Sequence, residues 1–158
     1  MLYSVPMIPQ TQTRSCWAAS IAMILKWKYG DDYTDVMIAD NPGGLSYMTS
    51  MTSGLDPNDK TILRENGFIL DFPMCYTPEL IDRMLLVHGP LWVATWAPGP
   101  HIRVVTGIMG NTVYINDPWP VGVGSIYSQP FDQFFGAMEE LGSFEMSEPS
   151  PVYVAYLR

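Results

Sequence analysis

The chain has 158 residues, of which 47% are hydrophobic and 13% aromatic, which is the size and composition of one folded domain. Eight Lys and Arg residues against sixteen Asp and Glu residues give a net charge of −8, which makes a nucleic-acid partner improbable. The longest strictly apolar runs, such as residues 91–94, are far shorter than the roughly 18 residues of a membrane span. We therefore expect a single domain over residues 1–158 that has no membrane span and acts on a protein or peptide.

The N-terminal segment and the cysteine content bear on the compartment in which the chain acts. Residues 1–10 lack the basic and apolar regions of a secretory signal. Cys16 and Cys75 do not form a disulfide-scaffold pattern, so we interpret both as thiols in a reducing, cytoplasmic site of action, with Cys75 packed in the core. Two cysteines and two histidines show none of the paired spacings of a zinc site, and we expect no cofactor.

The first half of the chain predicts helices. A segment from Cys16 to Tyr29 has apolar residues at helical spacing, and Gly30 ends it as a C-cap. Cys16 therefore lies at a helix N-terminus. Further helices are predicted over 33–39, 59–66 and 77–87, with turns at 41–44 and 53–57.

The second half predicts strands, because β-branched and aromatic residues dominate after Pro90. Strands are predicted over 91–96, 102–108, 113–115 and 152–157, with a late helix over 131–141. Gly110-Asn111 is a tight hairpin signal, so the second and third strands should be antiparallel. The order predicts an α+β domain with an N-terminal helical lobe packed on a C-terminal antiparallel sheet lobe.

Cys16 is the candidate nucleophile. At the start of a helix, the aligned peptide dipoles and free N–H groups favour the thiolate, which is the reactive form of cysteine. A buried, unreactive thiol is the alternative for any lone cysteine. The interpretation therefore depends on whether a base lies nearby.

The candidate base is one of two histidines. His88 ends a helix, where an imidazole commonly caps free carbonyls. His101 instead follows the turn-rich segment 97–100 and begins a strand, where its side chain can face a cleft. A catalytic base also needs an orienting group on its second ring nitrogen, and Asn116-Asp117 closes the next strand.

These residues carry a family resemblance. Gln10, Ser15-Cys16-Trp17, Gly89-Pro90-Leu91, His101 and Ile115-Asn116-Asp117-Pro118, in that order, resemble a papain-like cysteine protease, and the resemblance runs from about Val5 to Trp119. Within that superfamily the chain is most similar to the compact bacterial branch: the double-glycine leader peptidase domains of bacteriocin exporters and the effector proteases that bacteria inject into other cells. The separation of Cys16 from His101 is much shorter than the roughly 130–150 residues of the plant enzymes.

The resemblance implies a role for each of these residues. Cys16 would be the nucleophile, His101 the general base and later the acid for the leaving amine, and Asp117 the group that orients His101. Gln10 matches the family's oxyanion glutamine, so its amide and the Cys16 N–H would stabilise the tetrahedral intermediate. Losing one such donor typically costs about 100- to 1000-fold in rate. Gln12 is a weaker competitor for this role.

Two tryptophans would contact the substrate. Trp119 resembles the tryptophan that shields the catalytic pair in papain, although an ordinary core aromatic is the alternative, and Trp17 follows the nucleophile directly. The motif around Cys16 lacks the earlier cysteine that forms a disulfide in the secreted enzymes, which agrees with a reducing site of action.

The partner of His101 depends on strand register. If Gly110-Asn111 forms a strict two-residue hairpin, alternation along the strand places Asn116, and not Asp117, on the face of His101. Either the strand bulges or Asn116 is the partner. We favour Asp117 because the Asp-Pro-Trp context matches the family.

The leading prediction for function is a cysteine endopeptidase that cleaves a protein substrate, with cleavage after Gly-Gly suggested more weakly by the leader peptidases. Compact effector-like spacing favours a toxin or effector delivered into a target cell by a specialised secretion system, with an immunity or inhibitor protein as a further partner. The alternatives are a cell-wall peptide amidase with the same Cys-His chemistry and a non-catalytic peptide-binding domain on this fold.

Overall fold

The computed structural model of the chain describes residues 1–40, 50–55, 61–72, 74–96, 99–144 and 154–158. The helices are α1 (Cys16–Tyr29), α2 (Asp35–Ala39), α3 (Ser50–Ser53), α4 (Thr61–Glu65), α5 (Pro78–His88) and α6 (Phe131–Phe144). The strands are β1 (Phe68–Leu70), β2 (Leu91–Trp96), β3 (Pro100–Met109), β4 (Thr112–Asp117), β5 (Ser125–Pro130) and β6 (Val154–Leu157).

All six strands form one sheet in the order β1-β6-β2-β3-β4-β5, and each neighbouring pair is antiparallel. The predicted antiparallel sheet is thus confirmed. The two outermost strands were not predicted from the sequence. β1 is apolar but has only three residues, and β5 alternates between half-buried and exposed positions without the dense apolar content of the central strands.

Helices cover both faces of the sheet. On one face, α1 packs against alternate residues of the central strands, including Trp92 and Val104. On the other face, α5 and α6 pack against the intervening residues, such as Val93 and Val105. This alternation is the period-two pattern of a strand buried on both sides. The α+β class is confirmed, and burial of both faces explains why β2 is apolar along most of its length.

The predicted helix boundaries agree closely with the structure where local capping decides them. α1 begins at Cys16 and ends at Tyr29, and its C-cap Gly30 has a φ of 82°, the left-handed conformation that favours glycine. α5 begins after Thr77, whose side chain accepts a hydrogen bond from the Leu80 N–H at 3.2 Å. The predicted turn at 41–44 and part of the turn at 53–57 lie outside the described residues.

No helix in the described ranges combines the length and the hydropathy needed to cross a bilayer.

Candidate active site

Cys16 is the first residue of α1 and is half-buried. Residues 17–25 of this helix are buried without interruption, so α1 is held firmly in the core. The first turn of α1 carries Cys16 and the backbone N–H groups that have no partner within the helix. A nucleophile on a packed helix is positioned more precisely than one on a loop.

His101 is the second residue of β3. Its Nε2 atom is 2.7 Å from Oδ1 of Asp117, the last residue of β4. The register between β3 and β4 shifts between Val105 and Gly107. This β-bulge places Val104 opposite Asn116, so Asp117 falls on the His101 face of the sheet. The structure therefore joins His101 to Asp117.

Asn116 has a different environment. It is buried, and its Nδ2 donates a hydrogen bond to the Val5 carbonyl at 2.9 Å. Its side chain thus holds the N-terminal segment against the sheet. The bulge accounts for the difference, because an unbulged strand would have exchanged the faces of Asn116 and Asp117.

The electrostatics of the site favour an imidazolium. Burial lowers the pKa of His101, but hydrogen bonds to Asp117 and Cys16 and the charges of both groups outweigh it, raising the pKa to about 9. Because Nε2 is bonded to Asp117, Nδ1 is the ring nitrogen that remains available to Cys16. His101 therefore stands between a thiol and a carboxylate, as a base in nucleophilic catalysis must.

Both carboxylate oxygens of Asp117 accept hydrogen bonds. Oδ1 accepts hydrogen bonds from His101 and from the Trp119 N–H, and Oδ2 accepts one from the Tyr127 hydroxyl at 2.9 Å. Burial raises the pKa of Asp117, but the hydrogen bond and charge of His101 and the other two donors offset this effect, and the pKa is lowered. The carboxylate is thus kept ionised and oriented.

Two residues behind Asp117 were not predicted from the sequence. Tyr127 on β5 donates to Asp117 and accepts a 2.8 Å hydrogen bond from Arg103, a side chain that is 3% exposed and lies over the Phe134 ring. Burial raises the pKa of Tyr127, opposed by Arg103, so the phenol stays protonated and can donate. The alternation of β3, which puts Arg103 two residues after His101 on the same face, was the available sequence signal.

We expect Tyr127→Phe to lower kcat/KM for peptide cleavage about tenfold, since hydrogen bonds to charged groups contribute about 1.5–3 kcal/mol. Removing this donor should also raise the pKa of Asp117. An acid whose ionised form is active loses function as pH falls, so the acid limb of the pH–rate profile should move to higher pH.

Thr95→Val is the matched control for this variant, because Thr95 also accepts a hydrogen bond from Arg103 but is not among the residues that donate to Asp117. The hydrogen bonds of Asp117 to His101 and to the Trp119 N–H remain in both variants. An identical effect of the two substitutions on the pH profile would show that Tyr127 acts only by holding Arg103.

Gln10 is buried in the turn before α1. Its Nε2 donates to the Gln12 carbonyl at 2.8 Å and to the Thr13 carbonyl at 3.0 Å, while Oε1 is buried and accepts no hydrogen bond from the described residues. Both amide protons are therefore used within the turn. The oxyanion role of Gln10 stays a prediction, and it requires one of these bonds to be exchanged for the substrate. Gln12 is exposed.

The structure corrects one prediction about side-chain environment. Cys75 is exposed and is not the packed core thiol that we expected. The error arises because local sequence does not specify which residues of a segment are buried. Trp17 is 0% exposed within the core, and its contact with a substrate stays a prediction.

Trp119 lies beside Asp117, whereas His88 lies at the end of α5. The Trp119 side chain is 48% exposed next to Asp117, and its substrate contact stays a prediction. His88 ends α5 and stacks on Tyr156 with ring centroids 3.8 Å apart, away from the catalytic groups.

Comparison with solved structures gives matches over nearly the whole chain. A protein described as a C39-like peptidase from Bacillus anthracis has a TM-score of 0.64 and 17% identity, covering 98% of this chain and 95% of that chain. The peptidase domain of Streptococcus ComA, a bifunctional ABC transporter involved in a quorum-sensing pathway, has a TM-score of 0.55 and 18% identity, covering 98% and 100%.

A third similar structure is a double glycine motif protease from an AMS/PCAT transporter, solved in complex with the leader peptide. Its TM-score is 0.52 at 20% identity, with 99% of this chain and 91% of that chain covered. At these identities the likeness establishes the fold. No curated protein sequence matches the chain significantly.

A family model described as papain-like cysteine protease AvrRpt2 matches residues 1–138. That range contains the thiol, the imidazole and the carboxylate that the fold brings together, as well as most of the sheet that aligns them. The chain therefore belongs to this family of papain-like cysteine proteases.

Proposed function

We propose that residues 1–158 form a single catalytic domain, a cysteine endopeptidase in which Cys16, His101 and Asp117 act as the triad. The observation that carries the proposal is the imidazole of His101, which is bonded to Asp117 at 2.7 Å and paired with the thiol of Cys16. Such a pair holds the thiolate and the imidazolium together before the substrate arrives.

The proposed reaction follows from this arrangement. The Cys16 thiolate attacks the carbonyl carbon of the scissile bond, and the resulting oxyanion is stabilised by the Cys16 N–H and by the Gln10 amide once it is free. His101 donates its proton to the leaving amine, which breaks the C–N bond and leaves an acyl thioester. The neutral His101 then takes a proton from water, the hydroxide attacks the thioester, and the thiolate and imidazolium are restored.

We further propose cleavage after Gly-Gly. Support comes from the likeness to a double glycine motif protease whose structure holds a leader peptide. Profiling with a peptide library, with Cys16→Ala as the inactive control, should show cleavage that requires glycine in the two positions before the scissile bond. Cleavage after bulky or charged residues would contradict this specificity.

The biological role that we propose is that of a toxin or effector protease acting inside a target cell. Support comes from the family match and from the net charge of −8, which can steer association with a basic target or inhibitor protein. Expression of the wild type in a sensitive host should stop growth, and Cys16→Ala should not. Equal growth of the two strains would count against this role.

A further inference from the structure

A second buried carboxylate lies outside the catalytic residues. Asp35, the first residue of α2, is 0% exposed. Its Oδ2 accepts hydrogen bonds from the Thr11 N–H at 2.7 Å, the Thr11 hydroxyl at 2.9 Å and the Ser15 hydroxyl at 2.7 Å, and its Oδ1 accepts one from the Val36 N–H at 2.9 Å. Three of these four donors belong to the segment just before Cys16.

We call residues 10–15 the nucleophile loop, because they lead directly into Cys16. The loop is bound at two sides. The Gln10 N–H donates to the Pro118 carbonyl at 3.0 Å, and the Gly122 N–H donates to the Gln10 carbonyl at 2.9 Å, which ties the loop to the segment that follows Asp117. Asp35 binds the opposite side, through Thr11 and Ser15.

The link to Asp35 also changes what Ser15 does. Ser15 is the N-cap residue of α1, and a serine there normally accepts a hydrogen bond from a first-turn N–H. Its hydroxyl makes no capping bond; it lies 2.7 Å from Oδ2 of Asp35 and 3.2 Å from the Gln12 carbonyl as a donor, and it accepts from the Gln12 N–H at 3.1 Å. The Ser15 side chain is therefore bonded to Asp35 and Gln12, and not to the first-turn N–H groups of α1.

We infer that Asp35 is a positioning residue that fixes the nucleophile loop and diverts Ser15 from capping, so that Cys16 is held against His101. This inference rests on the proposed function for its catalytic meaning. A carboxylate suits the task because both of its oxygens can accept hydrogen bonds, and three donors converge on one of them. A side-chain amide at this position would turn its NH₂ group, which is a donor, toward one of the N–H or O–H donors that now bind Asp35.

The test is Asp35→Asn, which conserves size and removes the charge. We expect kcat for peptide cleavage to fall about 100-fold with little change in KM, because small displacements of a reacting group have effects of this size. We also expect alkylation of Cys16, measured by mass spectrometry relative to Cys75, to slow about tenfold as the thiol moves from His101. Alkylation needs no substrate, so it tests Asp35 even if the chain cleaves no peptide.

The matched control is Thr34→Ala. Thr34 caps α2 by accepting from the Met37 N–H at 3.2 Å, and within the described part of the chain it is not hydrogen-bonded to the nucleophile loop. Its loss therefore weakens the same helix and should leave Cys16 alkylation unchanged. Equal slowing in the two variants would overturn the inference, and so would a folded Asp35→Asn protein with the wild-type alkylation rate.

If Asp35→Asn does not fold, Ser15→Ala removes one link from the loop side without removing a helix cap. Slower alkylation of Cys16 in this variant would support the inference, and an unchanged rate would overturn it.

Discussion

Replacing His101 by alanine is expected to lower the rate of Cys16 alkylation at pH 5.5 by about 100-fold or more, because an ordinary thiol is ionised only to about one part in 1000 at that pH. In the proposed triad, the imidazolium of His101, whose pKa is raised to about 9, supplies the positive charge beside the Cys16 sulfur. The measurement is mass spectrometry after brief treatment with a low dose of alkylator across a range of pH.

Cys75 serves as the internal reference in each sample, because it is exposed and lies outside the triad. Labelling of Cys75 should rise with pH in the same way in both proteins. Equal, slow labelling of the two cysteines in the wild type would mean that the fold is that of a protease while the chain acts as a peptide-binding domain.

The proposed pair of Cys16 and His101 should also set the alkaline limit of activity. A group whose pKa is raised on folding keeps its proton, and the interaction that depends on it, until the pH passes the raised value. The imidazolium of His101 should therefore be lost as pH rises through about 9, and kcat/KM should fall over that range because the leaving amine then lacks its proton donor.

The second large effect is expected for Asp117→Ala, which should lower kcat by about 100- to 10,000-fold, in line with the loss of the orienting carboxylate in other triads. The substitution removes the 2.7 Å bond to Nε2 of His101, so the ring loses both its orientation and the charge that stabilises its protonated form. Steady-state cleavage of a peptide substrate measures the effect.

Asn116→Ala is the natural comparison, since Asn116 precedes Asp117 and is likewise buried. It should lower stability by about 1 kcal/mol through loss of the bond to the Val5 carbonyl, while kcat stays near the wild-type value. A thermal melt separates the two effects. If Asn116→Ala were inactive and Asp117→Ala active, the orienting role would belong to Asn116.

Local signals predicted much of the fold. Capping residues located the ends of α1 and α5, the Gly110-Asn111 turn located the β3–β4 hairpin, and apolar β-branched runs located the central strands. The edge strand β5 was not predicted because its half-buried residues, Ser125, Tyr127 and Gln129, do not form an apolar pattern. Its importance comes from Tyr127, which meets Asp117 only across the sheet.

The sequence by itself determined which chemical groups are present and on which element each lies: Cys16 at a helix start, His101 at a strand start and Asp117 at a strand end. It left the partner of His101 open, because strand alternation alone favours Asn116 and the family context favours Asp117.

Only the tertiary structure decided which of the two contacts His101, through a bulge in β3 that moves Asp117 to the His101 face. It also decided that Trp17 is buried, that Cys75 is exposed, and that Asp35 accepts hydrogen bonds from the loop before Cys16. The physical reason is that hairpin turns and helix caps are specified by neighbours in sequence, whereas burial, register shifts and carboxylate contacts depend on how distant segments pack.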